Sequence, residues 1–309
     1  MKKKVIVYSG YICFVLLLTA ATVWGAEGLT KISEGVYAYT NIKSQSPNNR
    51  YGANAGIVVG EKGLLVVDTL TSAKEATKFL ADIRSITPKP IRYVVNTHYH
   101  LDHAFGNCVF ADKGAVIVGH ANCRRQIQKI ESQALEAAKS FGMDDAALEG
   151  TRIVVPEIAF EKAMELDLGN RVVRLLHSGQ ASHTAGSILV WIPGQKVVFA
   201  GDILFTDFHP YMAEGDLKGW SKALEDLLGL GAEKIIPGHG PLSGARDVQA
   251  MKAYLTAFDR HARILCAAST NLEQITAEMI KRLPRRADGH FLIQANIQGR
   301  YLTPPDQKK

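Results

Sequence analysis

Between Thr97 and His103 the chain reads Thr-His-Tyr-His-Leu-Asp-His, which places three histidines and an aspartate within six positions. Imidazole nitrogen and carboxylate oxygen are favoured donors to zinc, at about 2.0–2.2 Å. His98 and His100 alternate, so an extended turn directs both to one side, while Asp102 and His103 lie past the bend and can face a second position. That spacing suits two cations a few ångströms apart better than one closed site. Three more segments put a donor after an apolar run in a Gly-rich turn: Ser182-His183-Thr184-Ala185-Gly186-Ser187, Phe199-Ala200-Gly201-Asp202 and Ile236-Pro237-Gly238-His239-Gly240. A lone Gly-Asp turn is usually only a turn. Strand ends on one edge of a sandwich gather in space, however, and four such segments in series point to one shared site.

The elements that must position these donors are legible as apolar runs. Val36–Thr40, Ala55–Gly60, Gly63–Thr69, Ile91–Val95 and Ala115–Gly119 read as strands, and Ser72 as the cap of a helix carrying Ala76, Phe79, Leu80 and Ile83. A long helix is expected from about Asn122 to Ser140. The second half offers strands at Arg152–Phe160, Met164–Leu168, Val172–Leu176, Ser187–Ile192, Lys196–Ala200 and Lys234–Ile236. Helices are expected over Asp216–Leu230 and from Arg246 to about Ala268. Strands followed by helix, occurring twice, predict two sheets packed face to face with helices outside. The polar stretch Lys43–Asn54 reads as a long loop able to cover a site.

At 309 residues, 47% hydrophobic and 21% charged, the chain has an ordinary globular composition. Its formal charge of +6 is concentrated at the ends, where Lys2, Lys3 and Lys4 supply half of the excess. The short Arg124-Arg125 and Arg285-Arg286 pairs read as solvated helix faces, so no nucleic-acid partner is expected. Lys2–Lys4, the apolar run Ile12–Leu18 and small residues around Gly25-Ala26 have the order of a secretory signal peptide. An uncleaved membrane anchor is the rival reading. Residues 1–26 are therefore expected to be a signal peptide, 27–245 the main domain, and 246–309 C-terminal helices and a tail packed on it. The protein is expected to be exported, periplasmic or secreted, with no stable membrane insertion after cleavage. Cys108, Cys123 and Cys266 remain after such cleavage and read as small buried hydrophobes.

With these motifs assembled, the sequence resembles the metallo-β-lactamase-fold hydrolase superfamily, whose signature is His-x-His-x-Asp-His followed by His, Asp and His at strand ends. The similarity runs from about Ile32 to Gly240. It implies an α/β (α+β) four-layer αββα sandwich. It also implies that His98, His100 and His183 hold one metal, that Asp102, His103 and His239 hold a second, and that Asp202 bridges them in a glyoxalase-II-like set. Asp68 resembles the family's first acidic position, which orients a ligand; it reads equally as a helix cap. Asp202 stands where the best-known zinc β-lactamases carry cysteine, which weakens a β-lactam assignment. The Ala200–Phe205 run, His209-Pro210-Tyr211 and Gly215–Trp220 resemble exported members associated with sulfur-oxidation and quinoprotein systems.

Two divalent ions, zinc or alternatively iron or manganese, would lower the pKa of a shared water enough to supply hydroxide near neutral pH. The expected function is hydrolysis of an ester, thioester, lactone or amide in a small-molecule substrate, with Asp102 or Asp202 orienting the nucleophile and taking its proton. The alternatives are β-lactamase activity, an iron-dependent sulfur or oxygen oxidoreductase, and a non-catalytic metal-binding protein. His209 and Tyr211 read as packing residues that could also reach the site.

Overall fold

The runs Leu64–Val67, Leu189–Ile192 and Val197–Phe205 do not alternate with polar residues, and the fold accounts for it: these strands are covered on both faces, whereas Ala163–Asp167 and Val172–Leu176 at the sheet edge alternate buried and exposed. The computed structural model describes residues 28–43, 46, 49 and 51–303. The expected signal region and the end of the tail lie outside those residues.

A seven-stranded sheet runs in sequence order through β1 (Thr30–Ser33), β2 (Val36–Ala38), β3 (Gly56–Val59), β4 (Leu64–Val67), β5 (Ile91–Asn96), β6 (Val116–His120) and β7 (Ile158–Phe160). β1 to β4 pair antiparallel, and β4 to β7 pair parallel through helical crossovers. The second sheet has the order β12-β11-β10-β9-β8. Its strands are β8 (Ala163–Asp167), β9 (Val172–Leu176), β10 (Leu189–Ile192), β11 (Val197–Phe205) and β12 (Lys234–His239), with only β11 and β12 parallel.

The side-chain period of two splits each run between two cores. Val58, Leu65, Val67, Val95 and Val118 meet Val190, Val197, Phe199 and Ile236 between the sheets. Their neighbours Ile57, Leu64, Val66, Val94 and Ile117 turn outward onto α1 (Ala73–Ile86) and Phe110 of α3 (Asn107–Ala111), which follows the single turn α2 (Leu101–Ala104). On the far side, Leu189, Trp191, Val198 and Ile235 pack against α7 (Leu217–Gly229), α8 (Ala245–Ala268), α9 (Leu272–Arg282) and α10 (Phe291–Asn296). The result is the expected helix–sheet–sheet–helix order. α8 to α10 share one core with α7 and β11, so the C-terminal quarter packs on the second sheet.

Several expectations need correction. The single helix over Asn122–Ser140 is two, α4 (Ala121–Ile130) and α5 (Ala134–Ser140), joined by a turn and followed by the short α6 (Asp145–Leu148). α4 packs Cys123 and Ile127 onto Ala104 and Val155, whereas α5 packs Ala134 and Ala138 onto Phe105 and Tyr51. Those two patches call for different helix directions. Of the strand expected over Arg152–Phe160 only Ile158–Phe160 forms. Pro156 has no N–H for a ladder, and its ring packs beside Gly119 instead. Cys108 and Cys123 are buried, but Cys266 is partly exposed; all three are free thiols. Among the described residues no helix is long and apolar enough to cross a membrane.

Candidate metal centre

Residues from both sheets supply the site. Asp68 follows β4, His98 follows β5, His100 caps α2 and is succeeded by Asp102 and His103, and His183 lies in the loop between β9 and β10. Asp202 and His239 were expected in turns; both lie within strands. β11 continues to Phe205 through an irregular register around Gly201, whose φ of +46° marks a bulge. Such a bulge bends the strand and re-aims the next side chain. Gly201 also has to be glycine on space grounds, because a Cβ there would lie 2.5 Å from the Thr97 hydroxyl.

All seven donors meet. One group is His98, His100, His183 and Asp202, the other Asp102, His103 and His239, and within each group the ligand atoms lie within 4.8 Å of one another. His98 Nε2 and His183 Nε2 lie 3.1 and 3.0 Å from His100 Nδ1. Asp202 stands between the groups: Oδ2 is 3.6 Å from His98 Nε2 and 3.2 Å from His183 Nε2, and Oδ1 is 3.2 Å from His103 Nε2 and 3.5 Å from His239 Nε2. Asp102 Oδ2 lies 3.6 Å from His103 Nε2 and 3.3 Å from His239 Nε2.

The opposite edges of the rings are held by hydrogen bonds that fix which nitrogen faces inward, as in metal sites generally. Asp68 accepts three of them. The Thr97 amide donates to its Oδ1 (2.7 Å), and the Thr97 hydroxyl (2.7 Å) and His103 Nδ1–H (2.8 Å) donate to its Oδ2. With its proton so directed, Thr97 Oγ accepts from His98 Nδ1–H at 3.1 Å. Asp68 thus orients two histidines, one directly and one through Thr97. The helix-cap reading of Asp68 falls away, because Ser72 caps α1. His183 Nδ1–H donates to the Tyr211 carbonyl at 3.1 Å. His100 Nε2–H donates to Glu214 Oε1 at 2.8 Å, and the Tyr99 hydroxyl donates to Oε2 of the same carboxylate at 2.5 Å.

The electrostatics are those of charges waiting for a counterpart. Burial opposes the charge on Asp202, yet His103, His239, His98 and His183 together hold its carboxyl well below the usual range. Burial likewise opposes protonation of His103 and His239, but Asp202 and Asp102 raise both, His239 to about 9. His98 and His183 are pushed down by burial. His103 Nε2 and Asp202 Oδ1 are buried, and although they lie 3.2 Å apart neither makes a hydrogen bond of good geometry. Buried polar atoms are seldom left so, and both belong to the donor groups. Nitrogen and oxygen donors around orphaned atoms fit a divalent cation, and zinc, iron or manganese by donor type.

Sequence reasoning missed Glu214, Tyr99 and the cleft beside the donors. A glutamate in the connector between β11 and α7 gives no signal by spacing; only the fold brings it to His100. Tyr211 lines the cleft, as its place after the Asp202 strand allowed. His209 does not: it is buried against Tyr254, 2.7 Å from the hydroxyl, and packs on His290. Of the Lys43–Asn54 loop, Tyr51 lines the cleft, and the Asn54 amide donates to the Pro237 and Gly240 carbonyls that flank His239.

Residues 48–239 match the metallo-beta-lactamase superfamily, and the chain belongs to that family. It is 24% identical over 228 residues to a linear primary-alkylsulfatase of Pseudomonas sp., a match covering 62% of this chain and 42% of that one. It is 25% identical to an acyl-coenzyme A thioesterase of Bos taurus, over 62% of this chain and 75% of the relative. The alkylsulfatase is thus matched over less than half its length. Among solved structures, a stereoselective inverting sec-alkylsulfatase from Pseudomonas sp. aligns with a TM-score of 0.63 at 19% identity, covering 91% of this chain and 52% of that one. A metallo-beta-lactamase from Pontibacter korlensis aligns at 0.58 and 22% identity, covering 74% of this chain and 98% of the other. These likenesses show a shared fold.

Proposed function

We propose that this chain is a hydrolase holding two divalent cations, zinc first among them, and that it cleaves an ester, thioester, lactone or amide. The observation that carries this reading is Asp202 lying between the two donor groups, one oxygen toward each. A structural site needs only four donors; seven around a cleft suit chemistry better than support. The relatives named as a sulfatase and a thioesterase also act on ester-like bonds. The basic and apolar N-terminal run supports export.

Two cations bound there would supply a Lewis acid for a substrate oxygen and a water of lowered pKa. The chain's own side chains do the rest. His98, His100 and His183 would hold one cation and Asp102, His103 and His239 the other, with Asp202 between the two groups. Asp202 commits both oxygens to the donor groups and its side chain is 4% exposed, whereas Asp102 turns Oδ2 inward and is 14% exposed. Asp102 Oδ1 is therefore the atom to orient a water and take its proton. The Tyr211 hydroxyl, pushed up to about 12 by burial and by Glu214, stays a neutral donor on the cleft wall.

The test is metal content by mass spectrometry followed by turnover of a generic ester and thioester. Activity that a chelator abolishes and zinc restores is expected. Stoichiometric iron with little zinc would instead favour an oxidoreductase, and no turnover by zinc-loaded protein would leave a metal-binding protein.

A further inference from the structure

Beside the donors the protein opens a cleft of about 330 Å³, within the range of small-molecule sites. Asp102, Asp202, His100 and His239 line one end of it. Away from them the described lining is mostly apolar, with Gln133 and the Tyr51 ring among it, and much of it comes from three stretches of chain. Ala134 and Ala138 lie one turn apart on α5 with Phe141 at its C-cap, Phe205 ends β11 with Phe208 just beyond it, and Phe291 and Leu292 begin α10. The only carboxylates among the described lining residues are Asp102, Asp202 and Glu214, and no lysine or arginine is among them. At the rim, Phe141 at the C-cap of α5 is 59% exposed and Phe291, the first residue of α10, is 51% exposed. The Tyr51 hydroxyl ties the loop to the end of α5 by donating to the Phe141 carbonyl at 2.5 Å, so the wall is fixed on that side. A larger hollow of about 410 Å³ beside Tyr39 and Asp82 is not lined by any of the donors.

We propose that this cleft receives an unbranched hydrocarbon chain, so that the substrate is an acyl or alkyl compound whose reacting head sits at the donors and whose tail lies between α5 and α10. This rests on the hydrolase reading for the head but not for the tail. The small side chains of Ala134 and Ala138 leave the channel open, and the exposed aromatic rings at the rim offer apolar surface that a tail would cover. A slot of this kind gains affinity with each methylene it buries, about fourfold per CH₂. It selects by length and apolarity and tolerates variation in the head, because the apolar wall touches only the tail.

Calorimetric binding of butanol, hexanol, octanol and decanol to the full chain tests the tail alone. The expected result is an affinity that rises about fourfold per methylene, and a Phe291→Asp variant that weakens decanol by about tenfold and flattens the series. A parallel series of acetate, butyrate, hexanoate and octanoate esters tests tail and head together. Alcohols that bind with the expected slope while no ester is turned over would uphold the tail channel and sink the hydrolase reading. Acetate turned over as efficiently as octanoate, or alcohols whose binding ignores length or the Phe291 change, would overturn the tail channel and leave the hydrolase reading standing. Because Phe291 is half exposed, Asp is expected to fold there; an Ala295→Trp variant, narrowing the cleft from the same helix, must also reduce decanol binding.

Discussion

Glu214 Oε1 lies 2.8 Å from His100 Nε2 and so fixes a histidine whose other nitrogen faces the donor cluster. His100 is the most exposed of the donors, its side chain 16% accessible, and Glu214 is the side chain that fixes its outward nitrogen. Its partner Glu214 is held in place by the Tyr99 hydroxyl. Against burial, His100 and Tyr99 keep the Glu214 carboxyl down to about 2, so it is ionised throughout the neutral range.

Replacing Glu214 by Gln keeps the shape and removes the charge. The expected outcome is metal affinity about 10- to 100-fold lower with an unchanged fold, read by competition with a chromophoric chelator and by circular dichroism. An unaltered affinity would mean that His100 is oriented by packing alone.

Asp68 is buried and accepts three hydrogen bonds with two oxygens. An asparagine offers only one acceptor oxygen, so Asp68→Asn leaves either the Thr97 amide or the Thr97 hydroxyl and His103 facing an NH₂ group. A loss of about 1–3 kcal/mol of stability is expected, measured by denaturant unfolding of the metal-free chain. Metal retention should fall as well, since His98 and His103 both depend on this carboxylate.

Gly238 packs its α-carbon against Asp202, and a Cβ at that position would lie 1.9 Å from Asp202 Oδ1. Gly238→Ala must therefore displace the carboxylate that stands between the two donor groups. Metal stoichiometry is expected to drop although no donor has been changed, and mass spectrometry of the purified variant reads it directly. Full stoichiometry would show that Asp202 is dispensable.

Metal loading should also depend on pH in a definite direction. In the metal-free chain, Asp202 and Asp102 overcome burial and lift His239 to about 9, and lift His103 further from its usual value. Both pKa values are raised, so the stability that their protonation contributes is full below about 6.5. It is lost as pH rises through about 9. A cation must remove those protons, so affinity is expected to increase from pH 6.5 to 9 and binding near neutrality to release protons. Calorimetry in buffers of differing ionisation enthalpy counts them; binding without proton release would contradict the raised values.

Much of this was legible in the residues themselves. Seven donors could be named from their types and their places after apolar runs, because a metal site demands particular atoms and a sheet edge delivers them. What spacing did not reveal was how strands end. Asp202 and His239 were expected in turns, but a bulge at Gly201 and a glycine at 238 let both strands run on through the site. The supporting contacts were also hidden. Glu214 reaches His100 across 114 positions of sequence, a separation that carries no local pattern. The break between α4 and α5 was invisible for a related reason, since each half answers to a different patch of the fold.

The wall built by α10 lies more than fifty positions after His239, the last of the donors. A ribosome therefore finishes the cation-gripping part before it has made the helix that closes the chamber beside it. Because this wall and the donors are separate stretches of chain, a substitution in α10 alters the apolar lining without disturbing a single ligand atom.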